Sequence, residues 1–195
     1  MCSYSPATFH PLIHTNWNAF GNKIPKLKIP NLGNYHNSTK YRLDICEYCV
    51  KLLLANYNNG VEFATGWTGF LVQGKAAIDS FSQEVNLRYS VNTSARPSWA
   101  MDIEKLVTKL SILRSKNSKL ARLIDAEFGS SSWFMQFKTF RDSEGVHRTR
   151  INRNLIVTIG VTVHRIQIQG LDVDTYSTRT ILRINDALET GYCLM

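Results

Sequence analysis

The sequence predicts a mainly α protein: an antiparallel bundle of four to five helices, with a short β strand or hairpin and a closing helix at its C-terminus. Three observations carry that prediction. Apolar residues recur at spacings of three and four through most of residues 39–153, which is one face of a 3.6-residue period. The connections between these runs are short, so successive helices must turn back on one another. Only near residue 155 does the period change to the strict alternation of a strand.

Residues 1–38 read as an irregular N-terminal arm, because Pro6, Pro11, Pro25, Pro30, Gly21 and Gly33 interrupt any period. Ser38 or Thr39 can cap a first helix, in which Leu43, Cys46, Val50, Leu53, Leu54 and Tyr57 keep the helical spacing. After "NNG", a second helix over about 61–90 carries Phe63, Trp67, Phe70, Leu71, Ile78, Phe81, Val85 and Tyr89 on one broad stripe. Gly66, Gly69 and Gly74 weaken that helix intrinsically but permit close approach of a neighbour. Pro97 suits the first turn of a third helix through Ile103, Leu106, Val107, Leu110 and Leu113, which a shorter segment with Leu120, Leu123, Ile124 and Phe128 continues. "GSSS" then caps a fourth helix that packs Trp133, Phe134, Phe137 and Phe140 inward.

Residues 154–195 form a strand-plus-helix extension packed on the bundle of residues 39–153. Leu155, Val157, Ile159, Val161 and Val163 alternate, the phase shifts at Arg165, and a bulge or tight turn falls near Gly160 or His164. Asp174 can cap the closing helix, which contains Ile181, Ile184, Leu188 and Tyr192.

Composition narrows the function classes. The chain has 195 residues, enough for one domain with a real core plus an appendage. Its longest apolar runs are far too short to span a bilayer. The opening "MCSYSPATFHPLIHTN" has no basic segment followed by an apolar one, so a soluble, cytoplasmic protein is expected. Cys46 and Cys49 make a lone C-x-x-C in a helical period, with no second pair and no His spacing to complete a metal set. They read as two small core thiols, and neither a metal nor a cofactor is expected.

The net charge of +8 is unevenly placed. Residues 1–40 carry four Lys and no acid, and residues 96–153 carry twelve bases against six acids. Such an excess attracts polyanions, nucleic acid above all.

The second basic region contains "FKTFRDSEGVHRTRINRN", residues 137–154, with Arg141, Asp142 and His147. Metal-free cleavage of RNA needs a base for the 2′-hydroxyl proton, an acid for the leaving oxygen, and a cation on the phosphate. His and Arg suit those tasks at neutral pH. On a regular helix, however, positions six apart lie about 120° apart the short way round. Arg141 and His147 therefore converge only if the helix breaks near Gly145 or two chains contribute. The competing reading is a solvated helix end whose charges complement the dipole.

The spacing Arg-Asp-x4-His at the end of a fourth helix resembles the R-x(4–6)-H signature of the HEPN superfamily (higher eukaryotes and prokaryotes nucleotide-binding domains). There the residue after the Arg is typically Asn, Asp or His, and Asp142 fits. "FLVQGKAAIDSFSQEVNLRY", residues 70–89, is similar to the second helix of bacterial members, and the likeness covers roughly residues 40–150. The resemblance implies a metal-independent RNA endonuclease. Arg141, His147 and Asp142 would be catalytic, with Asp79, Glu84 and Asn86 supporting them. It also implies a homodimer, a role as toxin or phage-defence effector, and an antitoxin protein as partner. Other members are binding modules without catalysis. Arg148, Arg150 and Arg153 either hold neighbouring phosphates of the RNA or form a plain basic surface.

Overall fold

The computed structural model describes residues 34–56, 60–92, 101–142, 167–168 and 171–195, and over these the protein is mainly helical. The chain forms α1 (Asn34–Ala55), α2 (Gly60–Tyr89), α3 (Ile103–Thr108), α4 (Leu110–Lys116), α5 (Ser118–Phe128), α6 (Trp133–Phe140) and α7 (Val173–Leu194). Gln167–Ile168 pairs with Leu171–Asp172 in a two-residue antiparallel ladder, β1 with β2. The alternating run expected as a strand, residues 155–163, lies outside the described residues, as do residues 1–33 of the N-terminal arm; residues 34–38, expected to be irregular, instead form the first turn of α1.

α1 and α2 pack along their length as an antiparallel pair, and glycine sets how closely. A Cβ at Gly66 would stand 2.6 Å from the backbone nitrogen of Leu53, so only glycine admits this approach. One turn on, Gly69 lies against the Cys49 side chain, and Gly74 faces Cys46. The small thiols of α1 therefore fit the glycine edge of α2. Both are buried, the Cys46 thiol donates to the Phe70 carbonyl at 3.5 Å, and burial, with the nearby Cys49 and Glu47, pushes its pKa up. A thiol held neutral in this way is a packing group.

Ser38 and Thr39 do not cap α1, because the helix already begins at Asn34. The buried Thr39 hydroxyl lies 2.9 Å from Tyr192 Oη on α7, so its hydrogen bond ties two helices together. The predicted third helix and the shorter segment that follows it are three helices, although the apolar period is kept and Ile103, Leu106, Leu110 and Leu113 are buried. The run breaks at Lys109 and again at Asn117, whose extended backbone lets Oδ1 accept from Leu120 N and cap α5. The Asn117 amide also donates to Tyr89 Oη at 2.9 Å and to the Leu194 carbonyl at 2.8 Å. One side chain thus joins the ends of α2, α5 and α7. The closing helix starts at Val173, one residue before the Asp174 expected to cap it.

The aromatic core is continuous. Trp67 and Phe70 meet on α2, Phe70 meets Phe137 edge-on, and Phe134 joins Phe137 to Phe128. The direction of α7 departs from a simple up-and-down order. Trp67 meets Tyr176, Gly74 lies against Ile184, Phe81 meets Tyr192, and Tyr89 Oη donates to the Met195 carbonyl. Both numbers rise together, so α7 runs parallel to α2. Phe140 meets Tyr176 at 5.5 Å, so α6 ends beside the start of α7.

Candidate functional site at the end of the sixth helix

Lys75 is the one lysine of α2, and it is only 3% exposed. An ammonium this deep needs opposite charge close by. Its Nζ lies 2.6 Å from Asp79 Oδ1, one turn along α2, and 2.9 Å from Glu104 Oε2 on α3. The Phe134 ring, 5.9 Å away, covers it from the α6 side. Asp79 Oδ1 also accepts from Ile103 N at 3.1 Å, which fixes the start of α3 to α2. Burial pushes the Asp79 carboxyl up, and Lys75 partly opposes that shift.

The row continues outward. Glu104 Oε1 lies 3.6 Å from Lys138 Nζ on α6, and Lys138 lies 4.0 Å from Asp142 Oδ2. Asp142 Oδ1 in turn meets Arg141 Nη2 at 2.7 Å. Positive and negative groups alternate from the interior of α2 to the end of α6, where the helix widens into a π-type turn over Arg141 and Asp142. Such turns re-aim side chains at the end of a helix. Three buried atoms of the row, Glu104 Oε2, Arg141 Nε and Asp142 Oδ1, have no well-aligned hydrogen bond among the described residues. Two of them keep ion contacts, Glu104 Oε2 with Lys75 at 2.9 Å and Asp142 Oδ1 with Arg141 Nη2 at 2.7 Å.

The charges balance, with three bases against three carboxylates. Arg141 is therefore already matched by Asp142, and an incoming phosphate must share the guanidinium with that carboxylate. Arginine can do so, because its five N–H groups exceed what one carboxylate uses.

Of the residues singled out from sequence, Arg141, Asp142 and Asp79 belong to this one row. His147, Arg148, Arg150 and Arg153 lie outside the described residues, as does Gly145. Glu84 and Asn86 point elsewhere. Tyr192 Oη donates to Glu84 Oε2 at 3.0 Å, and Asn86 Oδ1 accepts from Asn92 N at 2.8 Å to close the turn after α2. Lys75, Glu104 and Lys138 were not anticipated. The available signal was Lys75 itself, a lysine four residues before an aspartate within an apolar stripe.

Among the described residues no group of three or more His, Cys, Asp and Glu could hold a metal ion. No helix there is long and apolar enough to cross a membrane. No family model matches the chain, and no curated protein or solved structure does either.

Proposed function

We propose that this chain is a metal-independent RNA endonuclease of the HEPN type that works as a homodimer in the cytoplasm, as a toxin or phage-defence effector. The observation that carries the reading is the Arg141 and Asp142 ion pair at the end of α6, braced through Lys138 and Glu104 against a buried Lys75. A guanidinium held from behind is preorganised for a phosphate. In this scheme His147 takes the proton from a 2′-hydroxyl, and the 2′-oxygen attacks the adjacent phosphorus. Arg141 meets the charge that builds there, and the proton now on His147 passes to the departing 5′-oxygen. The products carry 2′,3′-cyclic phosphate and 5′-hydroxyl ends.

The test is incubation of the purified protein with RNA in EDTA, with end-group analysis of the products. Cleavage that survives chelation and is lost in His147→Ala is the expected result. Cleavage abolished by chelation, or absent at high protein concentration, overturns the proposal. The dimer has its own test: Arg141→Ala and His147→Ala chains, each inactive alone, recover activity on mixing if the site is composite. A strictly monomeric protein that still cuts RNA refutes that part.

A second reading, a binding module without catalysis for RNA, a nucleotide or a protein, is favoured by the charge balance of the row. With Asp142 2.7 Å from Arg141 Nη2, the pair also serves simply to end α6. Protein that binds RNA unchanged in Arg141→Ala and never cleaves it supports this module over the nuclease.

A further inference from the structure

Between Glu104 and Asp125 the sequence holds six bases, Lys105, Lys109, Arg114, Lys116, Lys119 and Arg122, and no acid. All six are exposed: Lys105 on α3, Lys109 between α3 and α4, Arg114 and Lys116 on α4, and Lys119 and Arg122 on α5. The structure gives them different employments. Lys105 pairs with Asp102 at 3.0 Å, and Lys116 donates to the carbonyls of Tyr89 and Ser90, closing the end of α2. Arg114 reaches Asp125 at 3.8 Å, which sets α4 and α5 side by side. Lys109, Lys119 and Arg122 answer no carboxylate among the described residues. Lys119 and Arg122 are three apart and share one face of α5.

Lys119 and Arg122 stand just past Lys116 at the end of the bundle where Lys116 meets Tyr89, whereas the end of α6 is level with Trp67 through the Phe140 and Tyr176 contact. Lys109 lies between, just past the end of α3. From Trp67 to Tyr89 the axis of α2 covers roughly 30 Å. We infer that the ridge of Lys109, Lys119 and Arg122 is a docking surface for the phosphodiester backbone of RNA, distinct from the Arg141 and Asp142 pair, with Lys119 and Arg122 at the opposite end of the bundle from that pair. Three exposed cations without internal carboxylate partners form a track for a polyanion, since binding releases counterions at no cost of broken ion pairs. The hydroxyls of Ser111 and Ser118, both exposed, add donors along it. RNA as the occupant rests on the nuclease reading; the position of the surface does not.

The test uses the full chain and a fluorescein-labelled 2′-O-methyl oligoribonucleotide. This probe has no 2′-hydroxyl to attack, so binding is read apart from cleavage. Lys109→Glu, Lys119→Glu, Arg122→Glu together are expected to weaken binding by about tenfold or more and to reduce the salt slope by about 2. The corresponding triple change to Gln, milder toward folding, is expected to lie between it and the unaltered protein. Lys40→Glu, an exposed reversal on α1, is expected to change little. Unaltered affinity and slope in both triple variants overturn the inference. So does equal loss from Lys40→Glu, and so does equal displacement of the probe by polyglutamate at matched charge. Cleavage of natural RNA by the triple Gln variant at saturating RNA separates the two ideas. If the protein binds through the ridge but never cuts, the ridge stands and the nuclease falls; if it cuts and the ridge variants bind as before, the reverse holds.

Discussion

α2 carries two charged side chains, Lys75 and Glu84, into the core, and they are held on opposite plans. Toward its middle, Lys75 opens a row of alternating charges that reaches the surface at Lys138, Asp142 and Arg141, whose side chains are 30%, 37% and 25% exposed. Nearer its C-terminal end, Glu84 accepts from Tyr192, and Tyr192 shares a hydrogen bond with Thr39, with all three residues buried. The second chain is closed and complete. The first is charged, open at one end, and contains three atoms without aligned partners. A closed hydrogen-bonded chain locks helices together. An open ionic row holds a surface charge in place and leaves it something to do.

The largest effect that bears on this contrast is expected from Lys75→Met. It leaves Asp79 and Glu104 close together without their shared cation and is expected to cost about 3 kcal/mol in urea denaturation. Adding Asp79→Asn and Glu104→Gln to the same chain should restore most of that loss. A cost below about 1 kcal/mol for Lys75→Met alone would mean that the row is not held from its buried end.

Tyr192→Phe keeps the ring contact with Phe81 but removes the hydroxyl between Thr39 and Glu84. The expected cost is about 2 kcal/mol, since two buried polar groups lose a partner. RNA cleavage should be unchanged. A loss of cleavage in a folded Tyr192→Phe protein would join the two groups functionally and erase the distinction.

Arg141→Ala should cost less than about 1 kcal/mol by the same denaturation, because its ion pair is partly exposed. Its effect on RNA affinity should be far larger than its effect on stability. Equal and small effects on both would place Arg141 with the solvated helix ends.

The smallest effect is a pH dependence. Burial pushes the Glu84 carboxyl up, against the opposing influence of the Tyr192 hydrogen bond and Arg88. The folded state therefore holds that proton more tightly than the unfolded state does. Between the ordinary glutamate value of 4.5 and the raised folded value, stability falls as pH rises. Glu84→Gln should flatten that fall in denaturation curves taken from pH 4 to 7, while leaving stability at pH 7 equal or slightly higher. A stability that instead rose with pH, and rose less in Glu84→Gln, would show that the ionised form is the one favoured.

Much of the helical frame was legible in the chain. The stripe from Phe63 to Val85 is apolar at helical spacing and is buried, and the glycines at 66, 69 and 74 mark the approach of α1. The break at Lys109 was not legible, because the apolar period from Ile103 to Leu113 runs through it without slipping. The one at Asn117 was, since "SKNS" sets off a shorter segment and Asn117 is a capping residue. The direction of α7 could not be read either. Antiparallel packing follows from short connections, and residues 143–172 are too long a connection to impose a direction. At the candidate site, Arg141 and Asp142 stood out by type and spacing, whereas Glu104 stands on α3 and meets Lys75 and Lys138 only through tertiary packing. Local pattern carries no record of such a meeting.

The parallel course of α7 beside α2 also sets how this molecule must fold. The bonds that close the bundle join residues far apart in the chain: Tyr89 to Met195 across 106 positions, Glu84 to Tyr192 across 108, and Thr39 to Tyr192 across 153. The α1 and α2 hairpin can form early, since its turn is only a few residues long. The groove that it presents to α7, including the face of Phe81, stays open until α7 arrives. During synthesis the ribosome must release Tyr192 before Thr39 and Glu84 find their shared partner. Folding should accordingly be slower than in up-and-down bundles of similar size, because high contact order places the entropy cost of loop closure ahead of its reward.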